Sequence, residues 1–139
     1  MRRVVLDPGV LVSALITPTG TPAELLREAR AGGLQPIVSP LLLAELEKVL
    51  AREKFRRYVD LDAVRDYIDL LRREALSAPD PKGPLPLRSA DPDDDYLIAL
   101  AQSQNAILVS GDSHLLDLVG GGAPILSPAD LLSRGSTRA

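Results

Sequence analysis

The sequence predicts an α/β fold, a three-layer α/β/α sandwich with a mostly parallel central sheet. Strand-like and helix-like segments alternate along nearly all of the 139 residues, the signature of βα units feeding a parallel sheet. The first strand-like run, Arg2 to Leu6, is continuously apolar after its two arginines, as a strand covered on both faces should be. A content of 45% hydrophobic and 25% charged residues over this length is enough for a sizeable core and points to one compact domain, residues 1–139.

The elements follow in order. After the strand at 2–6, Val10 to Ile16 reads as a helix. Thr21 and Pro22 open the next, with Thr21 as its cap, and Gly32 and Gly33 end it. Gln35 to Ser39 reads as the second strand. Pro40 then opens a long helix to about Phe55, and Leu61 to about Leu76 forms a second amphipathic helix beside it. The run APDPKGPLP at 78–86 is too rich in proline to be helical. Asp93 to Gln104 reads as helix, Ala106 to Ser110 as a buried strand and Ser113 to Val119 as a short helix. Pro124 to Leu126 reads as a short strand and Pro128 to Leu132 as a final turn or helix, with a frayed tail from residue 133.

Composition excludes whole classes of chemistry. There is no cysteine, hence no disulfide, thiolate nucleophile or sulfur-ligated metal. The one histidine, His114, sits in the helical pattern SHLLDL as a surface or capping residue rather than a general base. No apolar run approaches the roughly 20 residues of a membrane span, and no signal-peptide pattern follows Met1, so a cytoplasmic protein without membrane contact is expected.

The acidic residues are more informative than their number. Ligands of parallel sheets gather beyond the carboxyl ends of the strands, and Asp7 follows the first strand directly while Asp112 follows AILVS after one glycine. Glu45 falls inside the stripe Leu42, Leu46, Val49 and Leu50, on the buried side of its helix. In ADPDDDYLIALA, Asp94 has Leu97, Ile98 and Ala101 at i+3, i+4 and i+7, which places it facing the core. Asp95 points about 100° away, as a rim or helper residue. Each acid alone reads as a cap or a solvated residue. Four converging from separate elements repel one another, and a hard divalent cation relieves that repulsion. All-oxygen ligands select Mg²⁺ or Mn²⁺, and such a pocket suits phosphodiester hydrolysis. Counted without those four carboxylates, the net charge of −3 becomes +1, compatible with a polyanionic substrate.

The runs VVLDPGVLVSALI, SPLLLAELEKVL, DPDDDYLIALAQSQNAILVSGDSHLLDL and APILSPADLL, in that order, resemble PIN-domain ribonucleases, in particular the single-domain bacterial and archaeal type grouped with toxins of toxin–antitoxin pairs. The resemblance implies an endoribonuclease whose Asp7, Glu45, Asp94 and Asp112 bind Mg²⁺ or Mn²⁺, with a homodimeric state and a small antitoxin as partner. The interval from Asp94 to Asp112 fits the family spacing. Ser110, where the family often carries Ser or Thr, is expected to orient water or phosphate. One position departs: the family usually reads Asp-Thr-Asn or Asp-Ser-Asn after the first strand, and this chain reads Asp7-Pro8-Gly9. Gly9 could offer its backbone N–H in place of the missing amide. The rival reading is a weakened or non-cutting module that binds RNA or a protein. Arg52, Lys54, Arg56 and Arg57 form the main basic cluster for RNA, with Arg72, Arg73 and Arg88 as further candidates. Phe55, Tyr58, Tyr67 and Tyr96 are the whole aromatic supply. A phosphoacceptor receiver domain is excluded because none of Lys48, Lys54 and Lys82 follows a late strand. An Asp-x-Asp phosphatase is excluded because Gly9 holds its second position.

Overall fold

The computed structural model describes residues 2–82, 95–111 and 124–136, the last three of these by backbone alone. The expected helix at 113–119 with His114, the proline-rich loop beyond residue 82, and the chain end from 137 lie outside the described residues. Five strands, β1 (Arg2–Leu6), β2 (Leu34–Val38), β3 (Leu76–Ser77), β4 (Ile107–Val109) and β5 (Ile125–Leu126), form one sheet in the order β3-β2-β1-β4-β5, every neighbouring pair parallel. The chain therefore builds outward from β1 in one direction, then returns to build on β1's other side. Right-handed crossovers put the helices of those two halves on opposite faces, and the reversal between β1 and β4 is the topological switch point where such sheets open a crevice.

The first half supplies α1 (Pro8–Ile16), α2 (Thr21–Arg30), α3 (Pro40–Leu50) and α4 (Leu61–Glu74), with α1 against α2 and α3, and α3 against α4. On the other face α5 (Asp95–Ser103) packs on β1 and β4, whereas α6 (Pro128–Ser136) returns to pack against α2 of the first half. Val4 and Val5 of β1 and Leu108 and Val109 of β4 are wholly buried, which explains the uninterrupted apolar character of both strands. Leu42, Leu46 and Leu50 line one face of α3, and Val64, Tyr67, Ile68 and Leu71 one face of α4.

Several boundaries shift for local reasons. Helix α1 starts at Pro8 because proline tolerates the first helical position and Asp7 caps it. Gly20, not Thr21, is the cap residue of α2. Helix α2 ends on Gly32 at φ 96° with the Gly33 N–H on Glu28 O, and α5 on Asn105 at φ 52° with the Ala106 N–H on Ala101 O. Both are left-handed closures that glycine and asparagine accept most readily. Helix α3 stops at Leu50 instead of running to Phe55. Phe55 is five residues beyond Leu50, out of phase with the stripe, so a tight 3-10 turn at Glu53–Phe55 is needed to bury its ring. The strand β3 has only two residues, too few for a periodic signal. Helix α6 continues through Ser136, past the tail expected from residue 133.

Candidate active site at the carboxyl edge of the sheet

Four of the five described strands hand the chain to a polar residue at the same edge, Asp7, Ser39, Ser110 and Ser127, while β3 leads to the buried Ala78. Leu6 pairs with Val109, so Asp7 and Ser110 stand side by side just beyond the paired strands, joined through the Asp7 N–H on Val109 O at 3.0 Å. On one flank Ser39 follows β2; on the other Ser127 follows β5, whose Leu126 carbonyl accepts the Ser110 N–H at 3.0 Å. Three of these residues cap helices. Asp7 Oδ1 accepts from the Val10 N–H at 3.0 Å, Ser39 Oγ from Leu42 at 3.2 Å and Ser127 Oγ from Asp130 at 3.1 Å. The helix N-termini at this edge direct N–H groups and positive dipole ends toward it, which favours anionic side chains there.

Asp7 is 8% exposed, Ser39 1% and Ser110 0%. Burial of a carboxylate costs several kcal/mol unless it is compensated, and for Asp7 the cap bond and the α1 dipole supply part of that compensation. Gly9 leaves the carboxylate room, since a Cβ there would stand 3.1 Å from Asp7 Oδ1.

Asp95 departs from expectation. It is 6% exposed rather than at the rim. The Arg3 guanidinium donates to Gln104 O at 3.3 Å, fixing the far end of α5 beside the start of β1. Nine helical residues climb about 13 Å, as far as β1 climbs from Arg3 to Asp7 at about 3.3 Å per residue. Asp95 thus returns to the edge that carries Asp7 and Ser110. The apolar stripe of α5 alone directs Asp95 outward, and the packing of α5 on β1 and β4 buries it. Asp94 and Asp112 lie outside the described residues.

Glu45 is half-buried, whereas Glu47 and Lys48 on the same helix are exposed. Its helix packs on α1, and Glu45 lies five residues, about 8 Å, in from Pro40. Among the described residues no group of three or more His, Cys, Asp or Glu side chains is placed to hold a metal ion. The donors present at or near the edge, Asp7, Asp95 and Glu45, are all hard oxygens, which fits Mg²⁺ or Mn²⁺ in kind. A cavity of about 390 Å³ opens on the β3 side of this edge, bordered by Ser39, Pro40, Leu43, Arg72 and Ser77.

The basic residues separate into two sets. Arg52, Lys54 and Arg57 are exposed. Arg56 turns inward, donating from Nη2 to Leu50 O at the end of α3, with Nε and Nη1 buried; it closes a helix rather than facing solvent. Arg72 is held by Asp69 at 3.1 Å, Arg73 is exposed, and Arg88 lies outside the described residues. Two contributors went unnoticed in the sequence. Ser39 had a readable signal, a serine directly before a helix-opening proline. Asp80 had none: its Oδ2 accepts the Leu41 N–H at 3.0 Å from a residue 39 positions away, a contact only the folded chain creates.

A family model described as PIN domain matches residues 3–114. No curated protein sequence matches the chain. Solved structures share the fold: PAE2754 from Pyrobaculum aerophilum (TM-score 0.65, 22% identity, 99% of this chain and 91% of that one), VapBC2 from Rickettsia felis bound to a DNA fragment from their promoter (0.63, 13%, 90% and 98%), and FitAcB from Neisseria gonorrhoeae (0.59, 15%, 91% and 98%).

Proposed function

Because the chain belongs to the PIN-domain family, we propose that it is a Mg²⁺- or Mn²⁺-dependent endoribonuclease of one domain, acting as the toxin of a toxin–antitoxin pair. The observation that carries the nuclease reading is the pair of buried acids, Asp7 and Asp95, brought to the switch-point edge beside Ser110. Their donors are hard carboxylate oxygens, and a divalent ion is the occupant that this donor chemistry suits.

In this reading Asp7, Glu45, Asp94 and Asp112 hold the ion. When bound, it supplies polarisation of the scissile phosphate and a water acidified toward neutral pH. The chain's own residues do the rest. The Val10 N–H fixes Asp7 through its cap bond, Ser110 orients water or a phosphate oxygen through its hydroxyl, and the buried edge strengthens each of these interactions by excluding solvent. The Gly9 backbone N–H takes over the bracing that the family's amide side chain supplies. The toxin role and the small antitoxin draw support from the neighbours VapBC2 and FitAcB, whose names are those of such complexes; the homodimer rests on the sequence resemblance alone. A second reading, a weakened module that binds without cutting, rests on Pro8-Gly9 alone.

The test is cleavage of labelled single-stranded and structured RNA in Mg²⁺, Mn²⁺ or EDTA by the wild type, Asp7→Asn and Asp94→Asn. Ion-dependent cleavage lost in both variants is the expected result. Cleavage that survives both substitutions, or that persists in EDTA, overturns the proposal, and RNA binding without cleavage selects the second reading.

A further inference from the structure

The link between α3 and α4 carries the sequence Arg52-Glu53-Lys54-Phe55-Arg56-Arg57-Tyr58. It is a built turn. Phe55 is buried as an anchor, the N–H groups of Tyr58 and Val59 both donate to Phe55 O at 3.0 Å, and Arg56 closes the end of α3 on Leu50 O. What remains outside is unusual for this molecule. Tyr58 is 56% exposed, the Arg57 guanidinium lies over its ring at 5.4 Å, and the Lys54 ammonium lies over the Phe55 ring at 5.2 Å.

Ion pairs engage some cations of the described residues and not these. Arg30, Arg65 and Arg72 each meet a carboxylate, Glu74, Asp62 and Asp69 respectively. Among the described residues Arg52, Lys54 and Arg57 meet none, and Glu53 is the only acid in their run. An unneutralised cluster beside an exposed aromatic face is the composition that binds single-stranded nucleic acid, where phosphates take the cations and a base takes the ring.

We propose that Tyr58, flanked by Arg57, Lys54 and Arg52, is a base-stacking platform for single-stranded RNA at the tip of the α3–α4 hairpin. Use of this platform by a nuclease rests on the reading above. From Pro40 at the edge to Leu50 at the end of α3 is ten residues, about 15 Å along the helix, the span of roughly four stacked nucleotides at about 3.4 Å each. The platform therefore grips the strand a few nucleotides from the carboxylate edge and adds affinity without contacting the scissile bond.

The experiment is fluorescence anisotropy with a labelled oligouridine 15-mer, a matched RNA duplex as comparison, in EDTA so that binding is read apart from cleavage. Tyr58→Ala should weaken single-strand binding roughly 5- to 100-fold, the range of one lost base–aromatic stack, while Tyr58→Phe stays within about twofold of wild type. Arg57→Ala should weaken binding and lower the salt slope by about one. Unfolding temperatures check that the variants keep the fold. Tyr58→Ala binding like wild type overturns the proposal, as does equal loss on duplex and single strand. Loss of binding to a protein partner alone also overturns it, in favour of a docking site. Asp7→Asn should leave this binding within about twofold and abolish cleavage, so failure of the platform and failure of the nuclease reading give different results.

Discussion

Tyr67 reaches from α4 to α1, where its hydroxyl donates to the Leu11 carbonyl at 2.7 Å. Burial pushes its phenol well above the usual range, because the anionic form would lose hydration and the bond it donates. The unfolded chain releases this proton near pH 10 while the folded chain keeps it. Tyr67 therefore contributes its full stability below about pH 10 and progressively less as the pH rises above that. Tyr67→Phe should cost about 1 kcal/mol at neutral pH and flatten the decline in unfolding temperature between about pH 9 and pH 11, measured by thermal melts across that range. Asp7 is a sharper case, since it is both a cap and the first proposed ligand. Asparagine caps as well as aspartate, so Asp7→Asn should change stability by less than about 1 kcal/mol. It should also reduce ion-dependent cleavage by at least roughly 100-fold, since even residues one shell beyond a metal cost about 10- to 100-fold. A variant as active as wild type would remove Asp7 from the site.

At the scale of elements, α3 joins the sheet edge to the hairpin tip, and its two ends carry different work. Ser39 and Asp80 take the N–H groups of Leu42 and Leu41 at one end, and Arg56 takes the Leu50 carbonyl at the other. Ser39→Ala should destabilise the protein by about 1 kcal/mol, read by urea unfolding. Arg56→Ala should lower stability by a similar amount and change RNA affinity less than Arg57→Ala does. Equal loss of affinity with no loss of stability would return Arg56 to the binding surface. This division also marks where sequence reading stops. The apolar run Val4-Val5-Leu6, the buried strand β4 and the core stripe of α3 were legible because each rests on local pattern. Inward Arg56, the two-residue β3 and the reach of Asp80 to Leu41 depend on partners distant in sequence. Asp95 was misplaced for the same reason: one helix's wheel does not reveal which strands lie beneath its first turn.

For the whole molecule, the order β3-β2-β1-β4-β5 brings Asp7 after β1 and Ser110 after β4, from separate segments, side by side at one edge. Asp7 stands directly after β1 and Glu45 is half-buried on α3; Asp94 and Asp112 lie outside the described residues. Among the described residues no helix is long and apolar enough to cross a membrane. A ligand that binds only the folded state stabilises it by mass action, about 2.7 kcal/mol at a hundred times its dissociation constant. Saturating Mn²⁺ should therefore raise the unfolding temperature of the wild type, and EDTA should reverse the gain. The measurement that bears most directly on the carboxylate edge is a Mn²⁺ titration followed by the electron paramagnetic resonance signal of the free ion, run on wild type and Asp7→Asn. Saturable uptake by the wild type that is lost or greatly weakened in the variant is the predicted result; no saturable uptake, or identical uptake by both proteins, would contradict it.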